Sequence, residues 1–416
     1  MPNKLILLVG TNPLPDFVVA EHFLLHTTSL KSVTLLYSEK TEYQGGTKDY
    51  AENLQNLLRS RHKERDLGFE LIPLSDVSDA KEIQRNLRDR LIKYLQQTES
   101  VHFNYTGGTK AMGIHVYRWL EWYAKEKNLP VSFSYLDART FQIVDDEKGR
   151  ITDDLRNKVS LSLEELIKLH GFERENEQSD DFDLFNNAIK KFQELIDNDT
   201  LETYFTHYDR AVFVDEKGKI LNKTEKLKQK IENNSIKQGA FLEVVKLMPE
   251  EYRLFSNDGS FKGPKTNKHT EKAIEFLDGK WLELYIYKVL TEKISDKNNA
   301  IYLNWEIKKP EWKNPNQNFQ LDVILLKGYQ LIGISCTTSN RKDLCKSKGF
   351  EIFMRTRQIG GEEARAALVT RLSESQKKEV QSELEIDTGG RGNILVLGAN
   401  DLKECILIEK IRDFIK

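Results

Sequence analysis

Seven consecutive residues, Asn104-Tyr105-Thr106-Gly107-Gly108-Thr109-Lys110, gather the groups that hold an anion. Two glycines let backbone N–H groups approach a ligand closely. Threonine hydroxyls donate hydrogen bonds, and Lys110 supplies charge. A helix that opens here adds the positive end of its dipole. The spacing is neither that of a Walker A loop nor the G-x-G-x-x-G dinucleotide fingerprint. An earlier apolar run ends in a comparable turn, Gly10-Thr11-Asn12-Pro13-Leu14-Pro15. Two such turns favour an anion site over a turn that binds nothing. The remaining reactive side chains point elsewhere. Cys336, Cys345 and Cys405 form no CxxC pair, which argues against a disulfide framework or a cysteine zinc site and for a reducing cytoplasm. Cys336 ends an apolar run and reads as a buried, inert thiol. His102 sits mid-strand and His115 on the following helix, where core or interface roles are expected.

The elements that must position the Gly-Gly turn alternate regularly. Strands are expected at Leu5–Gly10, Ser32–Tyr37, Phe69–Pro73, Val101–Tyr105, Val131–Leu136 and Phe141–Val144. Helices are expected at Phe17–His26, Lys48–Arg61, Ala80–Gln96 and Lys110–Lys127. This βαβα order predicts a parallel sheet with helices on both faces. Ligands of such sheets bind beyond the carboxyl ends of the strands, where both turns fall. A polar stretch, Asp145–Asp154, follows and reads as a linker, as does the acidic run Glu173–Asp183. Residues 184–250 read mainly as helix, and the lysine-rich run Lys223–Lys237 as a solvated face. A mixed α/β unit closes the chain. It has a helix at Lys280–Leu290, strands at Ala300–Ile307, Phe319–Leu326 and Gln330–Thr337, a helix at Leu344–Gly360 and a strand at Ile394–Leu397.

The 416 residues suit two or three domains, divided here as 1–150, a mainly helical linker region 151–268, and 269–416. Hydrophobic residues at 39% and charged residues at 31% exclude a disordered or fibrous chain. No apolar run approaches the length of a membrane span, so no membrane partner is expected. Lys and Arg number 63 against 65 Asp and Glu, a net charge of −2. Any nucleic-acid surface must therefore be local.

Three segments at three strand ends, GTNPLP, NYTGGTKAM and SYLDART, resemble the CARF domain, the Rossmann-like sensor of type III CRISPR systems. The resemblance covers about residues 1–145. It implies a homodimer that binds a cyclic oligoadenylate, cyclic tetra-adenylate above all, on its two-fold axis. Thr11, Asn12, Ser38, Thr106, Gly107, Gly108, Thr109 and Lys110 would line that pocket, with Tyr105 or Tyr135 against the adenines. Many CARF proteins carry a HEPN ribonuclease, but no His here has the required upstream Arg. The C-terminal order, with Gly279-Lys280-Trp281-Leu282-Glu283 opening a helix and Gln320-Leu321-Asp322-Val323 on a strand, instead resembles the PD-(D/E)xK nucleases of CRISPR ancillary effectors. That implies Mg2+ or Mn2+ held by acidic residues, with Glu283 and Asp322 in the first two acidic positions.

Where that family shows Glu-x-Lys, this chain has Ser335-Cys336-Thr337. Ser335 and Thr337 share one strand face but bring neither carboxylate nor ammonium. Two readings follow. In one, the missing groups moved to the next helix, where Lys348, Glu351 and Arg355 share a face, with Gln358 a further polar candidate. Asp322 and Glu351 would then hold the metal, with Glu283, Lys348, Ser335 and Thr337 completing the catalytic set. In the other, the domain binds nucleic acid without cutting it. The fold expected is therefore α/β: a Rossmann-like parallel sheet followed by a mixed α/β, restriction-endonuclease-like domain. The function expected is a cytoplasmic, cyclic-oligoadenylate-activated nuclease acting on DNA, RNA or both. The alternatives are a ligand-controlled regulator and a ring nuclease that degrades the cyclic ligand.

Overall fold

The computed structural model describes residues 2–96, 98–175, 182–232, 239–314 and 317–416. Parts of the acidic run Glu173–Asp183 and of the lysine-rich run Lys223–Lys237 lie outside them.

Among the described residues the first sheet has seven strands: β1 (Lys4–Val9), β2 (Ser32–Ser38), β3 (Gly68–Leu74), β4 (Val101–Asn104), β5 (Val131–Asp137), β6 (Gln142–Asp145) and β7 (Gly149–Arg150). Their order is β3-β2-β1-β4-β5-β6-β7. All six residues of the central strand β1 are buried, as expected of a parallel strand covered on both faces. Strands β1 to β5 are parallel, whereas β6 and β7 are antiparallel. The expected parallel sheet thus ends in an edge meander. The connection from Asp137 to Gln142 is too short for a crossover helix, so the chain can only turn back.

The second sheet contains β8 (Glu173–Arg174), β9 (Asn299–Lys308), β10 (Phe319–Lys327), β11 (Gln330–Cys336), β12 (Arg365–Val369) and β13 (Ile394–Leu397), in the order β13-β12-β11-β10-β9-β8. Pairing is antiparallel from β8 to β11 and parallel from β11 to β13. Strand β12 and the helices Glu374–Thr388 and Glu404–Ile415 are additions to the sequence reading. Strand β12 reads Arg-Ala-Ala-Leu-Val, and alanine is a poor strand signal.

Three buried clusters stack these layers. Ile6, Leu8 and Leu36 of the first sheet pack with Leu87, Val116 and Leu120 on one side. On the other side Leu5, Leu7 and Leu35 join a cluster that runs through Leu163 and Ile167 to Ile324, Ile352 and Leu384. Residues 155–172 thereby lie between the sheets. Arg156 is buried there and donates to Gln330 Oε1 (2.8 Å) and to the carbonyl of Lys416 (2.6 Å). A third cluster packs Val323, Leu325 and Ile334 against Phe192, Trp281 and Leu407 of the surrounding helices.

Candidate active site

A cleft of about 1020 Å³ opens between the second sheet and the helical region. Its floor is strand and helix: Gln320 and Asp322 from β10, Cys336 at the end of β11, and Lys280 and Glu283 from the Lys280 turn and the Trp281–Lys293 helix. Lys348 reaches in from the Lys342–Gly360 helix, while Phe205, Tyr208 and Arg210 contribute a wall from the helical region. A kink at Phe276–Lys280, where Gly279 is extended rather than helical, redirects the chain into the Glu283 helix. Thr338 Oγ1 fixes it by donating to the Asp278 carbonyl at 2.8 Å.

Asp322 is held at one oxygen. Its Oδ2 accepts from Ser335 Oγ (3.1 Å) and from the backbone N–H of Cys336 (2.8 Å). Ser335 therefore serves the carboxylate directly, although it brings no charge of its own. Lys280 Nζ donates to Glu283 Oε2 at 2.6 Å and also to Asn304 Oδ1. Burial pushes the Glu283 carboxyl up to about 7, and the charge of Asp322 pushes the same way against the pull of Lys280 and Lys348. Burial, reinforced by Asp322 and Glu283, pushes the Cys336 thiol well up, which keeps it protonated and unreactive.

The structure separates the residues expected to share a helical face. Lys348 lines the cleft and, among the described residues, makes no ion pair there. Glu351 is exposed and is not part of the lining. The Arg355 guanidinium lies 4.6 Å over the Phe319 ring and donates to Gln358 at 3.2 Å. Thr337 lines the cleft, and its Oγ1 accepts from the Ser339 N–H at 3.3 Å. Lys280 and Asn304 were not singled out in the sequence. Lys280 is three residues before Glu283, a spacing that brings two helix side chains together, and that signal was readable.

Among the described residues, no group of three or more His, Cys, Asp and Glu side chains is arranged to hold a metal ion. Asp322 and Glu283 nevertheless suit one hard divalent cation. Magnesium is commonly held by one or two carboxylates, with water and substrate phosphate completing its shell. Asp322 and Glu283 line one cleft and offer the oxygen donors such an ion takes.

The turns at the carboxyl ends of the first sheet meet each other. A Cβ on Gly10 would lie 3.0 Å from the Gly108 nitrogen, and one on Gly107 only 2.0 Å from the Leu8 carbonyl oxygen. Gly108 has φ 71°, a conformation suited to glycine. Thr109 caps the following helix by accepting from the Met112 N–H at 3.2 Å, and Thr109 and Lys110 are exposed. Thr11 is exposed as well. Thr106 is engaged internally: its hydroxyl donates to Asn104 Oδ1 (2.6 Å) and accepts from Leu136 N–H (2.7 Å). Ser38 is buried, its N–H donating to Thr47 Oγ1 at 3.0 Å. Asn12 turns toward the second sheet, donating to Glu363 Oε2 at 2.9 Å, with His170 Nε2 at 3.3 Å from its Oδ1. His102 is buried between the hydroxyls of Ser132 and Ser134, each at 2.7 Å. Among the described residues, no helix is long and apolar enough to cross a membrane.

The sequence matches no family model and no curated protein. Solved structures do match. Protein VC1899 from Vibrio cholerae is 14% identical, with a TM-score of 0.66 over 99% of this chain and 98% of that one. Can2 from Sulfobacillus thermosulfidooxidans, solved in complex with cyclic tetra-adenylate, is 16% identical, with a TM-score of 0.64 over 98% of this chain and 99% of that one. At such identities the fold is what is shared, and it is shared from end to end: the chain has the two-sheet α/β architecture of VC1899 and Can2.

Proposed function

We propose that this chain is a metal-dependent nuclease controlled by a cyclic oligoadenylate. The observation that carries the reading is the pairing of Asp322 and Glu283 with Lys280 and Lys348 in one cleft. The shared fold supports the regulatory half, because the Can2 structure holds cyclic tetra-adenylate. In this reading Asp322 and Glu283 hold Mg2+ or Mn2+, which when bound acidifies a water and neutralises phosphate charge. Ser335 Oγ and the Cys336 N–H hold Asp322 through its Oδ2, which would keep the carboxylate in place for the cation. Lys348 offers its ammonium to a phosphate oxygen and so replaces the lysine missing from Ser335-Cys336-Thr337. The exposed Thr109 and Lys110, with the backbone of Gly107 and Gly108, take the cyclic ligand in a homodimer.

The test is cutting of supercoiled plasmid and single-stranded RNA with Mn2+, with and without cyclic tetra-adenylate. Wild-type protein should cut only with the ligand, and Asp322→Ala should lower the rate at least 100-fold. Ligand binding without cutting of either substrate would refute the nuclease and leave a ligand-controlled binder of nucleic acid.

A further inference from the structure

Strands β9 and β10 both change sides at one register point. In β10, Phe319 and Leu321 face the cluster between the sheets, whereas Val323 and Leu325 face the helical cluster. In β9, Leu303 faces the helical cluster and Trp305 and Ile307 the opposite one. A regular strand keeps i and i+2 on one face, so the pleat is broken between these residues. The pairs Leu321↔Trp305 and Val323↔Leu303 place Asn304 opposite Asp322 at the break. Asn304 has φ 51°, in the left-handed region, and is only 2% exposed. Asparagine tolerates that conformation better than other residues with a side chain, but it is uncommon within a strand. Backbone departures of this kind concentrate at functional sites, where the surroundings hold them in place.

The break has a direct consequence in the cleft. Asn304 Oδ1 accepts from Lys280 Nζ and from Gln320 Nε2 (2.8 Å). Lys280 in turn holds Glu283 Oε2. An ammonium has three N–H donors. Those given to Glu283 and Asn304 fix its position, and with it the rotamer of Glu283.

We propose that Asn304 and Lys280 are positioning residues that preorganise Glu283 beside Asp322 for a divalent cation, a role that rests on the metal-dependent reading above. The left-handed turn at Asn304 exposes Asp322 to the cleft and aims the amide that anchors Lys280. Neither residue need touch the metal. Removing such outer partners typically weakens metal binding 10- to 100-fold.

The experiment measures Mn2+ binding alone, from the spectroscopic signal of free Mn2+, for wild type, Asp322→Ala, Lys280→Met and Asn304→Gly, with thermal melting beside it. Asn304→Gly retains the left-handed backbone without strain and deletes the acceptor. Lys280→Met and Asn304→Gly should raise the Mn2+ dissociation constant about 10-fold or more. Asn304→Gly should still melt cooperatively, somewhat below wild type because two buried hydrogen bonds are lost, and saturating Mn2+ should restore most of its cutting rate. If Asn304→Gly binds Mn2+ as tightly as wild type while Asp322→Ala does not, the positioning role is overturned and the metal site stands. If wild type itself binds no Mn2+, the metal-dependent reading falls first. Should Lys280→Met fail to fold, the Asn304→Gly comparison decides alone.

Discussion

Two buried histidines show how a single side chain ties stability to pH. Burial pulls His102 and His170 down to about 4, from an ordinary value near 6.5. Each is neutral in the folded protein and takes up a proton more readily when unfolded. Their contribution is therefore complete above about pH 6.5 and is lost as pH falls from there through about 4. A shift of that size corresponds to roughly 3 kcal/mol for each residue at the acid end. Buried Asp16 and Glu363 are pushed the other way, so the total slope is mixed. The difference between wild type and His102→Gln isolates one residue. In urea unfolding between pH 7.5 and 4.5, wild type should lose stability relative to the variant as pH falls, and parallel profiles would contradict the argument. At this scale the resemblance to PD-(D/E)xK nucleases singled out Asp322 and Glu283, helical spacing singled out Lys348, and all three line the cleft. The sequence did not reveal Asn304, whose importance comes from a backbone dihedral that residue type does not encode.

Glycine at 107 shows what an element boundary demands. Strand β4 must stop and the Lys110–Lys127 helix must start within five residues, with the turn pressed against β1. A methyl group at Gly107 would overlap the Leu8 carbonyl at 2.0 Å and approach Asp16 Oδ2 at 2.7 Å. Backbone cannot yield as a flexible side chain can. Gly107→Ala should destabilise the protein by about 1–3 kcal/mol, the usual cost of overpacking, and should also weaken cyclic tetra-adenylate binding. Thermal melting and calorimetric titration check both, and a variant of unchanged stability would show that the turn moves freely. The alternation of strand and helix around this turn was legible because apolar runs and Gly-Gly or Asn-Pro breaks punctuate it. The course of β10 was not. Phe319, Leu321, Val323 and Leu325 alternate perfectly in sequence and would share one face of a regular strand. The turn at Asn304 on the neighbouring strand divides them between two cores.

Across the whole molecule, a chain of polar contacts runs from the Gly107 turn toward the helix that lines the cleft, beside the apolar core that residues 155–172 form between the sheets. Asn12, at the carboxyl end of β1, donates to Glu363 just beyond the Lys342–Gly360 helix, and that helix carries Lys348 to the cleft. The contact is tight: a Cβ on Gly361, itself at φ 74°, would meet Asn12 Oδ1 at 2.4 Å. Asp16 is fully buried on the same N-terminal segment, and neither of its carboxylate oxygens has a hydrogen-bond partner. It lies against Gly107 and close enough to Glu363 for that charge to raise its pKa. A ligand that shifts the Gly107 turn would thus press on buried Asp16, which feels the charge of Glu363, the residue that Asn12 contacts. Energetic coupling between two sites requires a contact that differs between their states, and is commonly worth 5- to 150-fold in affinity. Glu363→Ala removes the shared partner while leaving the exposed residues of the ligand turn intact. It should keep cyclic tetra-adenylate affinity within about threefold and reduce the stimulation of cutting by at least fivefold. Titration calorimetry and a cutting assay, each on the full chain, separate the two quantities. Equal stimulation in both proteins would place the coupling in another contact, such as the core formed by residues 155–172 between the sheets. Loss of ligand affinity together with stimulation would make Glu363 part of the binding turn rather than a link from it.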